Sequence, residues 1–326
     1  MTMSPHLNAV PEQTKSAGQY AATRNNRLSA PLYLPHLLWS VAVLVLLAIV
    51  WTWRAAPLLQ QQVGAAVGGA GVGFVATMLG ALVLFLPGKL RQQRLDQALS
   101  LSGGMMLAAA IFSLLIPSEQ AMRALIPDAT GQLWVVLAVL AGAVAMSLLE
   151  KMVPHGHPVA GDCGPGYQNL NRLWLFVSAI ALHNLPEGLA VGVSFSGNDA
   201  QQGLSVTVAI AMQDVPEGFA MAMVLLKLRV RPWQAMGWSL LAALLEPLGA
   251  LLAVMLSQWL GALLALTYPL ALALAAGAML FVVVHEVIPE THSAGSGRSP
   301  RSSSFLMLAG FLFLWFLDSE AFVHLW

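Results

Sequence analysis

The sequence predicts an all-α polytopic membrane protein, and three observations carry that prediction. Hydrophobic residues make up 58% of the 326-residue chain and charged residues only 9%, against roughly a quarter charged in soluble domains. Apolar runs of about 20 residues, the length a helix needs to cross a bilayer, recur along the chain, whose mean hydropathy is +0.73. The Lys and Arg residues between those runs fall thirteen in one set of alternate connections and two in the other. That asymmetry marks the cytoplasmic side.

Residues 1–34 are polar and mixed. They read as a disordered cytoplasmic tail rather than a signal peptide, since no apolar stretch closely follows the initiating methionine. Nine apolar segments follow, at 35–53, 63–86, 98–117, 131–150, 172–195, 202–226, 232–257, 262–286 and 304–323. The first stands ahead of the others as an extra N-terminal transmembrane helix within 35–57, and residues 58–326 hold the other eight. Lys15, Arg24, Arg27, Lys89, Arg91, Arg94, Lys151, Arg172, Lys227, Arg229, Arg231, Arg298 and Arg301 share one side; Arg54 and Arg123 have the other. A missed or invented span would scramble this alternation, so charge supports the count independently of hydropathy. It puts the N-terminus in the cytoplasm and the end at Trp326 outside. The connection 151–171 contains "KMVPHGHPVAGDCGPGYQN", whose Pro and Gly content predicts a flexible cytoplasmic loop, and "HSAGSGRSPRSS" at 292–303 predicts another linker. A net charge of zero gives no reason to expect a nucleic-acid partner. The lone Cys163 excludes an internal disulfide and a thiolate cluster for a soft metal.

Two of the apolar segments contain groups that hydrocarbon disfavours. "AIALHNLPEGLA" at 179–190 carries His183, Asn184 and Glu187; "AIAMQDVPEGFA" at 209–220 carries Gln213, Asp214 and Glu217. The next segment carries Glu246 in "LLEPLGA". Each charged residue at the bilayer centre costs about 2.5–3.5 kcal/mol even on the lenient insertion scale, and no Lys or Arg stands at comparable depth in these segments. One such carboxylate is as readily a helix–helix hydrogen bond as a ligand; seven polar groups at matched spacing are not explained that way. His183 and Glu187 are four residues apart, as are Gln213 and Glu217, so each pair stacks on one helix face. Asn184 and Asp214 sit about 100° further round. Pro186 and Pro216 each remove a backbone hydrogen bond, freeing the carbonyls of Leu182 and Met212, which membranes tolerate where protein or water lines a site. Gly188 and Gly218 permit close helix approach. One imidazole, four carboxylates and two amides suit divalent metals that accept oxygen and nitrogen, such as Zn²⁺, Fe²⁺, Mn²⁺ or Cd²⁺. Four carboxylates balance two such ions, with Glu187 and Glu217 bridging; protons could supply the same balance.

"HNLPEG" followed by "QDVPEG" resembles the paired signature of the ZIP family of divalent metal transporters, in its bacterial GufA-like branch. The resemblance covers about 63–323, making 58–326 a ZIP-like transporter domain, and the extra first span is similar to one in some bacterial members. It implies eight core transmembrane helices in a 3+2+3 inverted-repeat arrangement. It further implies one metal site at His183, Glu187, Gln213 and Glu217. A second uses Asn184, Asp214 and Glu246 and shares the bridging Glu187 and Glu217. It implies a homodimer. Gln213 stands where many members have His, and Ser113 stands near a position that is His in many; Met105 or Met106 could face the pathway there. Peripheral candidates are weaker. "HEVIPETH" offers His285, Glu286, Glu290 and His292 in what resembles a metal exit region, although a solvated helix end explains them equally well. The seven-residue separation of its histidines rules out the HExxH zinc-protease pattern. His155 and His157 lie in a loop that is histidine-rich in relatives. Glu119 and Asp128 could attract cations from outside, or simply be solvated.

The expected protein is an importer in the bacterial inner membrane. It moves a divalent metal, zinc first and also cadmium, iron or manganese, into the cytoplasm through a binuclear site by elevator-type alternating access. A selective metal channel could use the same ligands. An intramembrane metalloenzyme would need an open coordination position and a general base, and no recognised catalytic motif accompanies these residues, so no enzyme activity and no organic cofactor are expected.

Overall fold

The structure is a computed structural model that describes residues 57–85, 92–153, 155–157, 161–163, 172–197, 199–261, 266–292 and 300–318. The predicted tail, the first apolar segment and the extreme C-terminus lie outside the described residues. The other eight segments all appear as helices long and apolar enough to cross a membrane.

Helix α1, Pro57–Ala81, tightens into a 3₁₀ turn at Leu82–Phe85. The next span is longer than its apolar stretch. Helix α2, Gln92–Ala108, passes through a π-helical segment, Ala109–Leu115, into α3, Ile116–Leu125. Its ends, "QQRLDQ" and "SEQAMRAL", mix polar and apolar residues, so hydropathy alone stops short of them. Helix α4, Ala129–Met152, is N-capped by Asp128, whose carboxylate accepts from Thr130 N at 2.9 Å. Strands β1, His155–His157, and β2, Gly161–Cys163, then pair antiparallel with His155 opposite Cys163. Part of the connection expected to be a flexible loop is therefore a small hairpin.

Helices α5, Arg172–Ser196, and α6, Ala200–Lys227, run unbroken through Pro186 and Pro216. The following span does break, into α7, Pro232–Ala243, and α8, Leu245–Gly261, with a turn at Leu244. Pro247 explains the place, because a proline ring clashes with the carbonyl four residues earlier, here Ala243. The break starts α8 just before Glu246. Helix α9, Thr267–Val282, again passes through a π segment, Val283–Val287, into α10, Ile288–His292. Helix α11 is Pro300–Asp318. Both π segments are followed by Ile-Pro, at 116–117 and 288–289.

The helices sort into two sets by packing. Helix α1 lies along α6 and α8, and α5 lies along α8 and α6. In the flanking set α4 packs on α9, and α2 on α11. The sets meet where α2 lies against α6 and α9 against α5. Small residues set the spacing. A Cβ on Gly188 would collide with the Glu246 carbonyl, and one on Gly218 with the Thr77 carbonyl; Gly142 and Gly277 bring α4 and α9 together in the same way.

Candidate metal centre

Helices α5 and α6 stand side by side in the first set, and their four-residue spacing turns both polar columns inward. Glu187 and Gln213 are fully buried, Asp214 and Glu246 are 1% exposed, Asn184 2% and Glu217 9%. Single oxygens of Glu187, Asp214 and Glu217 lie within 4.8 Å of one another. Gln213 Nε2 donates to Glu187 Oε1, and Ser102 Oγ of α2 donates to the Gln213 carbonyl at 3.1 Å.

Most of the remaining polar atoms have no protein partner. Both carboxylate oxygens of Asp214, Glu217 and Glu246 are buried without a hydrogen bond, as are Glu187 Oε2, Gln213 Oε1 and Asn184 Nδ2. A buried polar group left unsatisfied costs about 1–3 kcal/mol, more when charged, and folded proteins keep such groups rarely. Eight of these nine orphan atoms are oxygens, a nest of acceptors that can take a cation; the ninth, Asn184 Nδ2, is a donor.

Two features of this nest could not be read as ligands. Gly73 of α1 faces Glu246 and Asp214: a Cβ there would stand 2.6 Å from Asp214 Oδ2 and would overlap Glu246 Oε1. Its missing side chain is the space in which those carboxylates meet. Glu286, expected at the periphery, instead pairs with His183 Nε2. The π segment around it carries the acid to the central histidine, in keeping with the frequency of π turns at functional sites.

His183 and Glu217 open onto a cavity of about 60 Å³. Ser102, Met106, Glu286 and Glu290 also line it. Glu150, at the end of α4, is 5% exposed and feels the charge of Glu286; its Oε2 lies 3.8 Å from His285 Nε2. Glu150 thus joins the same acidic group, although its sequence position at a helix end next to Lys151 reads as an ordinary solvated terminus.

The other candidates divide. Met105 is not on the cavity wall: it is 2% exposed in the apolar core beside Ala109 and Leu114, and Met106 takes the lining place. Neighbouring positions on a helix point about 100° apart, so the pair could not be ordered from sequence. His285 is half-exposed and stacks on Phe281 at 5.0 Å. Glu290 lines the cavity, whereas His292 turns away, 2.9 Å from the Ile288 carbonyl and 2.9 Å from Ser304 Oγ. Ser113 Oγ donates to Asp318 Oδ1 at 3.4 Å, outside the cavity. Glu119 is exposed and paired with Arg123 at 2.5 Å, and Asp128 is occupied as the α4 cap. His155 and His157 lie on β1.

A family model described as ZIP Zinc transporter matches residues 161–318. The zinc transporter ZIPB of Bordetella bronchiseptica is 41% identical over 261 residues, which cover 80% of this chain and 82% of that protein. The zinc transporter GufA of Myxococcus xanthus is 37% identical over 244 residues, covering 74% and 93%. The zinc transporter ZupT of Chlorobaculum parvum is 32% identical over 231 residues, covering 68% and 85%.

Proposed function

The chain belongs to the ZIP zinc transporter family, and from that premise we propose that it imports zinc into the cytoplasm through a two-ion site between α5, α6 and α8. It is a multi-pass membrane transporter of divalent metal, not an enzyme. The observation that carries the finer reading is the nest of buried, unpartnered oxygens, which hydrocarbon would expel unless a cation or protons filled it.

One ion is held by His183, Glu187, Gln213 and Glu217, and the other by Asn184, Asp214 and Glu246, with Glu187 and Glu217 bridging. Oxygen-rich ligation with one imidazole also admits Cd²⁺, Fe²⁺ and Mn²⁺. His183 is the ligand that changes partner: Glu286 holds its Nε2 when metal does not. Glu286 and Glu290, on the cavity wall beyond it, supply oxygens along the way out. The excess of basic residues at that end of the helices supports a cytoplasmic exit in a bacterial inner membrane.

The packing supports alternating access of an elevator type around an inverted repeat. Exchanging α1 with α8, α5 with α6, α2 with α9 and α4 with α11 turns each principal packing pair into another, or, for α1 with α8 and α5 with α6, into itself. It also exchanges the two π segments and their Ile-Pro sequences. Helices α1, α5, α6 and α8 then move as a block against the flanking set, as expected for a midplane site in a repeat fold. A homodimer joins the flanking helices α4 and α11, whose spans are the least buried within one chain.

The test is metal stoichiometry on the purified chain. Two zinc ions per chain are expected, falling to one in Glu246→Ala with the site at His183 kept. One ion in both proteins would contradict the binuclear site.

A further inference from the structure

Past the cavity-lining residues of α6 stands a lysine to which metal ligation assigns no part. Lys227 ends α6, the helix of Gln213, Asp214 and Glu217. Val224, nearly one turn earlier, lines the cavity, as do Leu99 of α2 and Glu290 of α10. Asp96, three residues before Leu99, is 5% exposed. Helices α2 and α6 pack together, and Asp96 and Lys227 each stand nearly one turn beyond a cavity-lining residue toward the same end of that pair, the end where Glu290 lines the cavity; Lys227 feels the charges of Asp96 and Glu290, and Glu290 those of Glu286 and His183. The three groups stand on three elements: α6 belongs to the block that carries the metal, and α2 and α10 belong to the flanking set.

We propose that Lys227 is an exchangeable cation at the exit, competing with the departing metal ion for Asp96 and Glu290 and so promoting its release. This rests on the transport reading above. Without a lysine, the two carboxylates would present two negative charges to a divalent ion. Affinity at oxygen sites rises with the number of charged ligands, so the exit would act as a trap. With the ammonium in place the mouth carries one net negative charge: enough to draw an ion from the central site, too little to hold it. Lysine suits this role better than arginine would, because its compact charge rides on a flexible stem and does not lock a carboxylate into a bidentate pair. The helix assignment adds a second consequence. As the block moves, Lys227 travels with the central site while its partners stay, so the neutralising charge is present at the mouth only in one arrangement of the two sets.

The experiment measures zinc release from the purified, preloaded full chain into excess chelator by rapid mixing. K227M is expected to release zinc about two- to fivefold more slowly, the scale of one partly exposed ion pair. Adding D96N to K227M should restore the rate, and K227R should stay near the native one. D96N alone, which keeps the lysine and leaves the mouth neutral, should lose the draw on the ion and also release more slowly, and it supplies the answer if K227M does not fold. Release from K227M at the native rate, K227R as slow as K227M, or an unchanged rate in D96N would each overturn the proposal and leave the transport reading intact. A native chain that takes up no zinc would overturn both.

Discussion

Gln213 is where the two motif helices differ most in chemistry, since it puts a neutral amide at the motif position that His183 holds in α5. A carbonyl oxygen suits manganese, and an imidazole suits zinc. Gln213→His is therefore expected to shift competitive uptake toward zinc over manganese; an unchanged ratio would remove this residue from selectivity. Gly73 makes a sharper test. Gly73→Ala pushes a methyl group into the oxygens of Asp214 and Glu246 and should cost the second ion while sparing the one at His183. Metal counting on the purified variant checks it, and two retained ions would contradict the geometry. The motif residues were legible in the sequence because carboxylates and a proline stand out in apolar runs. Gly73 was not, because in "VGGAGVGF" nothing separates a glycine beside a carboxylate from one beside lipid. Glu286 read as peripheral because only folding brings it across 103 positions of sequence to His183.

At the scale of elements, three prolines in similar apolar contexts have two outcomes. Pro186 and Pro216 sit within continuous helices, while Pro247 coincides with the break between α7 and α8. Sequence signals the lost hydrogen bond in all three, but only the packing around each decides whether the helix continues. The same holds for span ends. Hydropathy located all eight described spans, yet it missed the amphipathic ends of α2 and α3 and ended the α9 span before Glu290. The close helix pairs are testable. Gly218→Leu forces a side chain into the Thr77 backbone and should lower stability by about 1–3 kcal/mol, the range for overpacking. Gly68→Leu, where nothing lies within 4 Å, should leave the melting temperature in detergent unchanged. Equal effects would contradict the packing of α1 against α6.

For the whole molecule, the claim is that one set of four helices carries the metal past another. Cross-linking separates the sets. With Cys163 replaced by serine, cysteines at Leu99 and Val224, which line one cavity from α2 and α6, should stop uptake when bridged. Cysteines at Gln62 and Gln258, hydrogen-bonded within the moving block at 2.5 Å, should leave uptake intact when bridged. Transport that survives the first bridge would rule out relative motion of the sets. None of this grouping was legible in the sequence, since hydropathy marks that a helix spans the membrane and not which neighbour it keeps. The most direct measurement is zinc uptake into proteoliposomes by the native chain, His183→Ala and Glu217→Ala. The account predicts slow, saturable uptake by the native chain and background flux in both variants. Native-level uptake in either variant would contradict the assignment of the metal path to this buried site.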